Sequence, residues 1–194
     1  MSARASRSTP GLPAPVDDAE LLGRVAGGNL EALGELFDRY EDDVRRLVRR
    51  LGTANGDIDD LVQLTFLDLA RSASRFDRKL SVRSWVLGIA AMMVRRQRRS
   101  VARWIANLAG RAFEQRRAAP RTPSEDLERE QDQARFEKAL ARLSPKRREV
   151  FVLVAMEEAS GEEAAAALGI PVATVWTRLH YARKELRAML EESS

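Results

Sequence analysis

Between Ile58 and Leu69 the apolar residues do not keep to one stripe. Leu61, Val62, Leu64, Phe66, Leu67 and Leu69 fall at helical spacing around most of the circumference. A helix of that composition needs two apolar neighbours, its own core on one side and something else on the other. A short polar loop follows, 74–81, crowded with Arg75, Phe76, Arg78 and Lys79. A second apolar helix, Trp85 to Val94, then runs straight into Arg95, Arg96, Arg98 and Arg99. An aromatic-bearing basic loop beside a cationic helix end suits a polyanion whose bases stack on the rings. A buried helical hairpin with solvated arginines would have the same composition over this stretch alone.

Elsewhere the same three- and four-residue steps recur, strict alternation is rare, and glycine and proline are sparse inside the periodic segments. The chain is therefore expected to be all-α. Net charge is +4, but the arginines are concentrated: nine lie between Arg95 and Arg121 against one acid, Glu114. Acids gather at Asp57 to Asp60 and at Glu125 to Asp132. A basic middle between acidic segments points to nucleic acid, with protein contacts on either side. The chain has no cysteine, which removes disulfides and thiolate metal sites. The uncharged run Ser84 to Val94 is too short to cross a bilayer, which takes roughly 20 residues. No apolar signal segment stands near Met1, and a cytoplasmic, reducing compartment is the expectation.

Residues 1–16 have no period and read as a disordered leader. Leu21, Leu22 and Val25 share a face, Gly27-Gly28 interrupts it, and Asn29 can cap a long helix carrying Leu30, Leu33, Leu36, Phe37, Tyr40, Val44, Leu47, Val48 and Leu51. Gly52 ends that helix. Asp57, Asp59 and Asp60 suit the start of the next one, where the helix dipole favours carboxylates. Their spacing is not that of a calcium loop, and no metal or other cofactor is expected. Beyond Arg99 the stripe Val101, Trp104, Ile105, Leu108 continues as a helix. It can extend the one before it, dock on a partner or lie on an anionic membrane surface. AAPRTPSE, 118–125, is the best domain boundary.

In the second half Ser144-Pro145 reads as a helix start. Ser160 with Glu163 is a capping box opening a short alanine-rich helix, Gly169 permits a sharp turn, and Pro171 begins a last helix. There Val172, Val175, Leu179, Ala182 and Leu186 form the buried stripe. Ala173, Thr174, Trp176, Thr177, Arg178 and Tyr181 face outward near its start. Two short helices about a glycine turn, with small, polar and cationic residues at the exposed start of the second, make a helix-turn-helix suited to a DNA major groove.

Together the two halves are similar to a known family. DIDDLVQLTFLDL and RFDRKLSVRSWVLGIA resemble region 2 of the extracytoplasmic-function (ECF) sigma factors of bacterial RNA polymerase. LSPKRREVFVLVAMEEASGEEAAAALGIPVATVWTRLHYARKEL resembles their region 4. The resemblance implies two small helical domains on a flexible linker: a region 2-like domain over 17–117, a linker over 118–126 and a region 4-like domain over 127–194. It implies that the helix from Asp59 docks on core RNA polymerase through Asp60, Gln63 and Phe66. It also implies that Phe76, Arg78, Lys79, Trp85 and the following helix, with Met92, Arg95, Arg96 and Arg99, open the −10 element and hold its non-template strand. In the last helix Pro171, Ala173, Thr174, Trp176, Thr177, Arg178 and Tyr181 would face the −35 element of duplex promoter DNA, and Arg183 would meet phosphate.

Several positions depart from the family's habit. Met92 stands where asparagine is common, so a different −10 base preference is expected. Trp176 and Tyr181 replace frequent basic residues and should alter −35 preference, while Gly161 and Ala164 replace bulkier ones and should loosen packing. The arginine-rich segment 95–121 could serve as a docking surface for an anti-sigma protein or for polymerase. The expected function is a sigma factor with no catalysis of its own. The rivals are a helix-turn-helix regulator that does not melt promoters and, remotely, an enzyme, since His180 is the sole histidine and lies in the last helix.

Overall fold

The computed structural model describes residues 16–108 and 127–192. The leader expected over 1–16, except its last residue, and the linker expected over 118–126 fall outside them, as does the end of the arginine-rich segment. Among the described residues every regular element is a helix.

Four helices form the first unit: α1 (Asp18–Ala26), α2 (Leu30–Arg50), α3 (Ile58–Ser72) and α4 (Val82–Leu108). Asn29 caps α2 as its spacing suggests, its side-chain oxygen accepting from the Ala32 N–H at 2.9 Å. Leu36, Val44, Leu47 and Val48 along α2 are fully buried and meet Leu21 and Leu22 of α1 and the inner faces of α3 and α4. Each such side chain contributes roughly 1.5–3 kcal/mol by leaving water. Leu30, expected on that stripe, is instead 79% exposed, because helical spacing turns it about 120° from Leu36 while Ala32 of the same turn is buried. A 3₁₀ turn, Asn55–Asp57, leads into α3. The aspartates there fit the helix start by charge, though Asp57 makes no side-chain cap.

The second unit is α5 (Leu127–Arg142), α6 (Pro145–Phe151) prolonged by a π-helical turn over Val152–Met156, α7 (Gly161–Leu168) and α8 (Val172–Glu191). Pro145 occupies the first position of α6 after Ser144, without a side-chain cap. The capping box is fully formed. Ser160 Oγ accepts from the Glu163 N–H at 3.1 Å, and Glu163 Oε2 accepts from the Ser160 N–H at 2.9 Å. Gly169 makes the turn with φ +61°, and Val175, Leu179, Ala182 and Leu186 of α8 are buried against α6 and α7.

The two units pack on each other, chiefly α4 against α7. A Cβ on Gly88 would lie 2.7 Å from the Ala167 Cβ, so only glycine lets the helices approach this closely. Charge holds the rim. The buried Glu157 accepts from Arg50 Nη1 at 2.5 Å and Arg83 Nη2 at 2.7 Å, and its backbone oxygen accepts from Arg83 Nη1 at 2.7 Å. Glu149, also buried, faces Arg95 Nε at 3.1 Å and Arg98 Nη1 at 3.7 Å. Burial pushes its carboxyl above the usual range, and the surrounding arginines offset this only in part. Arg148 donates to the Leu51 carbonyl at the end of α2, and Arg95 to that of Leu168 at the end of α7.

Candidate nucleic-acid interface

Three surfaces carry the residues expected to function. On α3, Asp60 and Gln63 are exposed as expected, and beside them stand Leu64 and Leu67, 48% and 50% exposed. Phe66 requires a correction. It is 4% exposed, with its ring 4.7 Å from that of Phe37 in the core. Helical spacing turns it 100° per residue away from the face that Gln63, Leu64 and Leu67 share, so Phe66 supports the surface from inside and Leu64 and Leu67 form it.

At the opposite end of α3 the loop is fixed by its own hydrogen bonds. Asp77 Oδ1 accepts from the Lys79 N–H at 3.0 Å, the Leu80 N–H bonds to the Asp77 carbonyl at 2.9 Å, and Ser81 Oγ accepts from the Ser84 N–H at 3.1 Å, closing the first turn of α4. That frame leaves Arg78 and Lys79 exposed and brings the Phe76 ring to 5.3 Å from Trp85, tilted by 58°. Trp85, Ile89 and Met92 lie on one stripe of α4 and line a cavity of about 250 Å³, with Arg75, Asp77 and Leu80 from the loop. Its far wall is α7, through Glu163, Ala166 and Ala167. Arg96 and Arg99 are exposed on the next turns, Arg96 lying 3.9 Å from Asp68, while Arg95 is drawn into the contact with Glu149.

Glu163 joins the two units at this cavity, accepting from the Ser81 N–H at 3.1 Å as well as from Ser160. Partial burial acts to raise its pKa, but the N–H groups of Ser160 and Ser81 and the hydroxyls of Ser81 and Ser84 outweigh that and hold it at about 2.

The third surface is the start of α8. Pro171, Ala173, Trp176, Thr177, Tyr181 and Arg183 are exposed, and Thr174 and Arg178 are half-buried between them. The Thr177 hydroxyl donates to the Ala173 carbonyl at 2.9 Å, leaving its oxygen able to accept. Arg147 of α6 lies over the Tyr181 ring, 5.3 Å from its centroid, and pairs with Glu185, so α6 braces the exposed face of α8 at Tyr181. Gly161 does not loosen the motif. The Trp176 indole fills the space a side chain there would take, its Cζ2 lying 2.6 Å from where a Cβ would stand.

Sequence reasoning passed over Glu149, Glu157 and Arg83. The one signal for the two glutamates is a carboxylate bordering an apolar run, Glu149 before Val150-Phe151 and Glu157 after Leu153 to Met156, while Arg83 carries none. Among the described residues, no group of three or more His, Cys, Asp or Glu is placed to hold a metal, and no helix is long and apolar enough to cross a membrane.

The family model described as "Sigma-70 region 2" matches residues 36–105, and "Sigma-70, region 4" matches residues 133–186. The chain is 30% identical over 187 residues to the RNA polymerase sigma factor CnrH of Cupriavidus metallidurans, covering 91% of this chain and 96% of that one. It is 32% identical over 178 residues to the ECF RNA polymerase sigma factor SigC of Mycobacterium tuberculosis, covering 86% and 88%. Among solved structures, CnrH in complex with the cytosolic domain of CnrY is similar at a TM-score of 0.64 and 29% identity, over 91% of this chain and 99% of that one. The sigma factor RpoE of Bartonella quintana, in complex with the anti-sigma factor NepR, is similar at 0.65 and 25%, over 81% and 96%. With both region models matched in order, and relatives at this identity spanning nearly their whole length, the chain belongs to the ECF sigma factors of bacterial RNA polymerase, within the sigma-70 family.

Proposed function

We propose that this sigma factor joins core RNA polymerase through Asp60, Gln63, Leu64 and Leu67 on α3, reads the −35 element with α8, and separates the −10 element at Phe76 and Trp85. It acts by binding, in the cytoplasm, and catalyses no reaction of its own. The observation that carries the reading is the arrangement within the first unit. An exposed apolar patch flanked by a carboxylate and an amide lies on α3, and an aromatic pair with Arg78 and Lys79 lies at the loop that ends it. A protein partner fits the first, because an apolar patch with a polar rim loses little by leaving water. Unstacked bases fit the second, where rings offer π faces and cations meet the backbone. Two DNA-reading units in one chain raise each other's effective concentration, so each contact can be weak.

The solved relatives bound to CnrY and to the anti-sigma factor NepR support an anti-sigma protein as a further partner of this chain. The test is Asp60→Lys combined with Gln63→Ala. Both side chains are exposed, so the fold is kept and co-purification with core polymerase is lost; undiminished co-purification would overturn the reading.

A second reading, a sigma-like regulator that binds polymerase without melting promoters, is favoured by Met92. A thioether at the −10 cavity is a weak hydrogen-bond acceptor and no donor, and holds an extruded base only by apolar contact. Permanganate reactivity of promoter thymines in the holoenzyme complex separates the two.

A further inference from the structure

Gly161 and Trp176 are fifteen positions apart and meet across the helix-turn-helix. The Cζ2, Cε2 and Nε1 atoms of the indole lie 2.6, 2.9 and 3.2 Å from where a Cβ on Gly161 would be. All three belong to the edge that carries the indole's single polar atom. That edge is turned toward the first turn of α7, while half of the tryptophan remains exposed on the outer side of α8 beside Ala173 and Thr177. The rest of the ring is carbon.

We propose that Gly161 is a positioning residue for Trp176, and that the pair makes the start of α8 read a thymine C5-methyl group in the −35 element by apolar contact. The proposal rests on the assignment of α8 to the −35 element. An arginine at position 176 would supply guanidinium donors that select guanine; a tryptophan with its N–H edge folded back offers the groove a flat hydrocarbon surface. The thymine methyl is the apolar group of the major groove, so a surface of this kind discriminates T·A from the other pairs there. Trp176 alone would not achieve this, since a mobile indole pays rotamer freedom on binding. The absent side chain at 161 gives the ring a seat, and Ala173 beside it leaves the groove-facing surface open.

The backbone of Gly161 is not in the left-handed region, so alanine is accepted by the chain, and its Cβ would collide with the N–H edge of the indole. Gly161 is the first residue of α7, outside the helix interior, and thermal melts of each variant separate loss of fold from loss of base preference. The experiment is selection of duplexes randomised over the −35 region by full-length protein bound to core RNA polymerase. It compares wild type, Gly161→Ala, Trp176→Ala and the double variant, with fluorine NMR of 5-fluorotryptophan-labelled protein alongside. Wild type is expected to enrich thymine at one position. Each single variant should lose about four-fold of that preference, the worth of one buried methyl group, and the double variant should lose no more than either single one. In Gly161→Ala the Trp176 resonance moves while those of Trp85 and Trp104 stay. Additive losses, an unmoved Trp176 resonance, or a Trp176→Ala variant that keeps the thymine preference would each overturn the proposal. Enrichment of no sequence at all by wild type would overturn the assignment of α8 itself.

Discussion

Replacing Glu157 by glutamine removes the charge on which α2 and α4 meet the second unit and leaves the shape nearly unchanged. Its carboxylate accepts charged hydrogen bonds from Arg50 at 2.5 Å and Arg83 at 2.7 Å while only 4% of the residue is exposed. A hydrogen bond to a charged group nets about 1.5–3 kcal/mol, and stripping one partner from a buried ion pair costs about 3–5 kcal/mol when the other stays buried. Here the arginine side chains remain about a third exposed, at 33% and 34%, and regain water as the units part, so the lower figures apply. Glutamine also keeps one acceptor oxygen. The change should therefore disfavour the packed arrangement by about 2–3 kcal/mol, a shift of roughly 30- to 160-fold in the closed-to-open ratio. The natural chain has no cysteine, so dyes on Asp38→Cys and Lys184→Cys, one in each unit, report the separation by single-molecule energy transfer. Glu157→Gln is expected to raise the open fraction and weaken its dependence on salt. Because α7 walls the cavity beside Trp85 and Met92, single-stranded DNA carrying the −10 sequence should bind more tightly as well. Glu162→Gln, the same change of charge at an exposed site on α7, is the control. An unchanged distance distribution in Glu157→Gln, or an equal shift in the control, would refute the reasoning.

Arg178→Ala should weaken binding to the −35 duplex by about 1–3 kcal/mol at one base position if the guanidinium reads a base; a uniform loss across sequences would assign it to phosphate. Phe66→Ala should destabilise the first unit by about 3–5 kcal/mol in urea unfolding, whereas Leu64→Lys with Leu67→Lys should leave stability near wild type and lose core polymerase in pull-down. Glu163 has its carboxyl lowered to about 2 from 4.5, so the stability it confers is complete above about pH 4.5 and disappears as the pH falls to about 2. Thermal melts of wild type and Glu163→Gln should accordingly differ at pH 7 and converge toward pH 2.

The helices of both units are legible in the sequence because each buries a stripe repeating at 3.6 residues, and the capping box at Ser160 and the turn at Gly169 are local chemistry. The two-sided character of α3 is legible too, but not which apolar residues face out. Phe66 and Leu67 are adjacent, and it is the packing of α2, with Phe37 against the Phe66 ring, that sets which of the two turns inward. The packing of the two units has no sequence period, since it rests on Gly88 of α4 meeting Ala167 of α7 and on Glu149 and Glu157 finding arginines from distant segments. For the same reason Arg95 reads as one more cation of a DNA-facing run, although in the folded chain it serves the contact between the units. The fit of Trp176 over Gly161 is hidden likewise, because the small residue looks like a packing defect until the large one is seen filling it.

Transcription reconstituted from core RNA polymerase, this protein and a pool of promoter fragments tests the central claim most directly. Addition of the protein should produce transcripts from a subset of fragments sharing two spaced elements, with thymines near the upstream edge of the −10 element becoming reactive to permanganate. No association with core enzyme and no protein-dependent transcript, at any salt concentration, would contradict it.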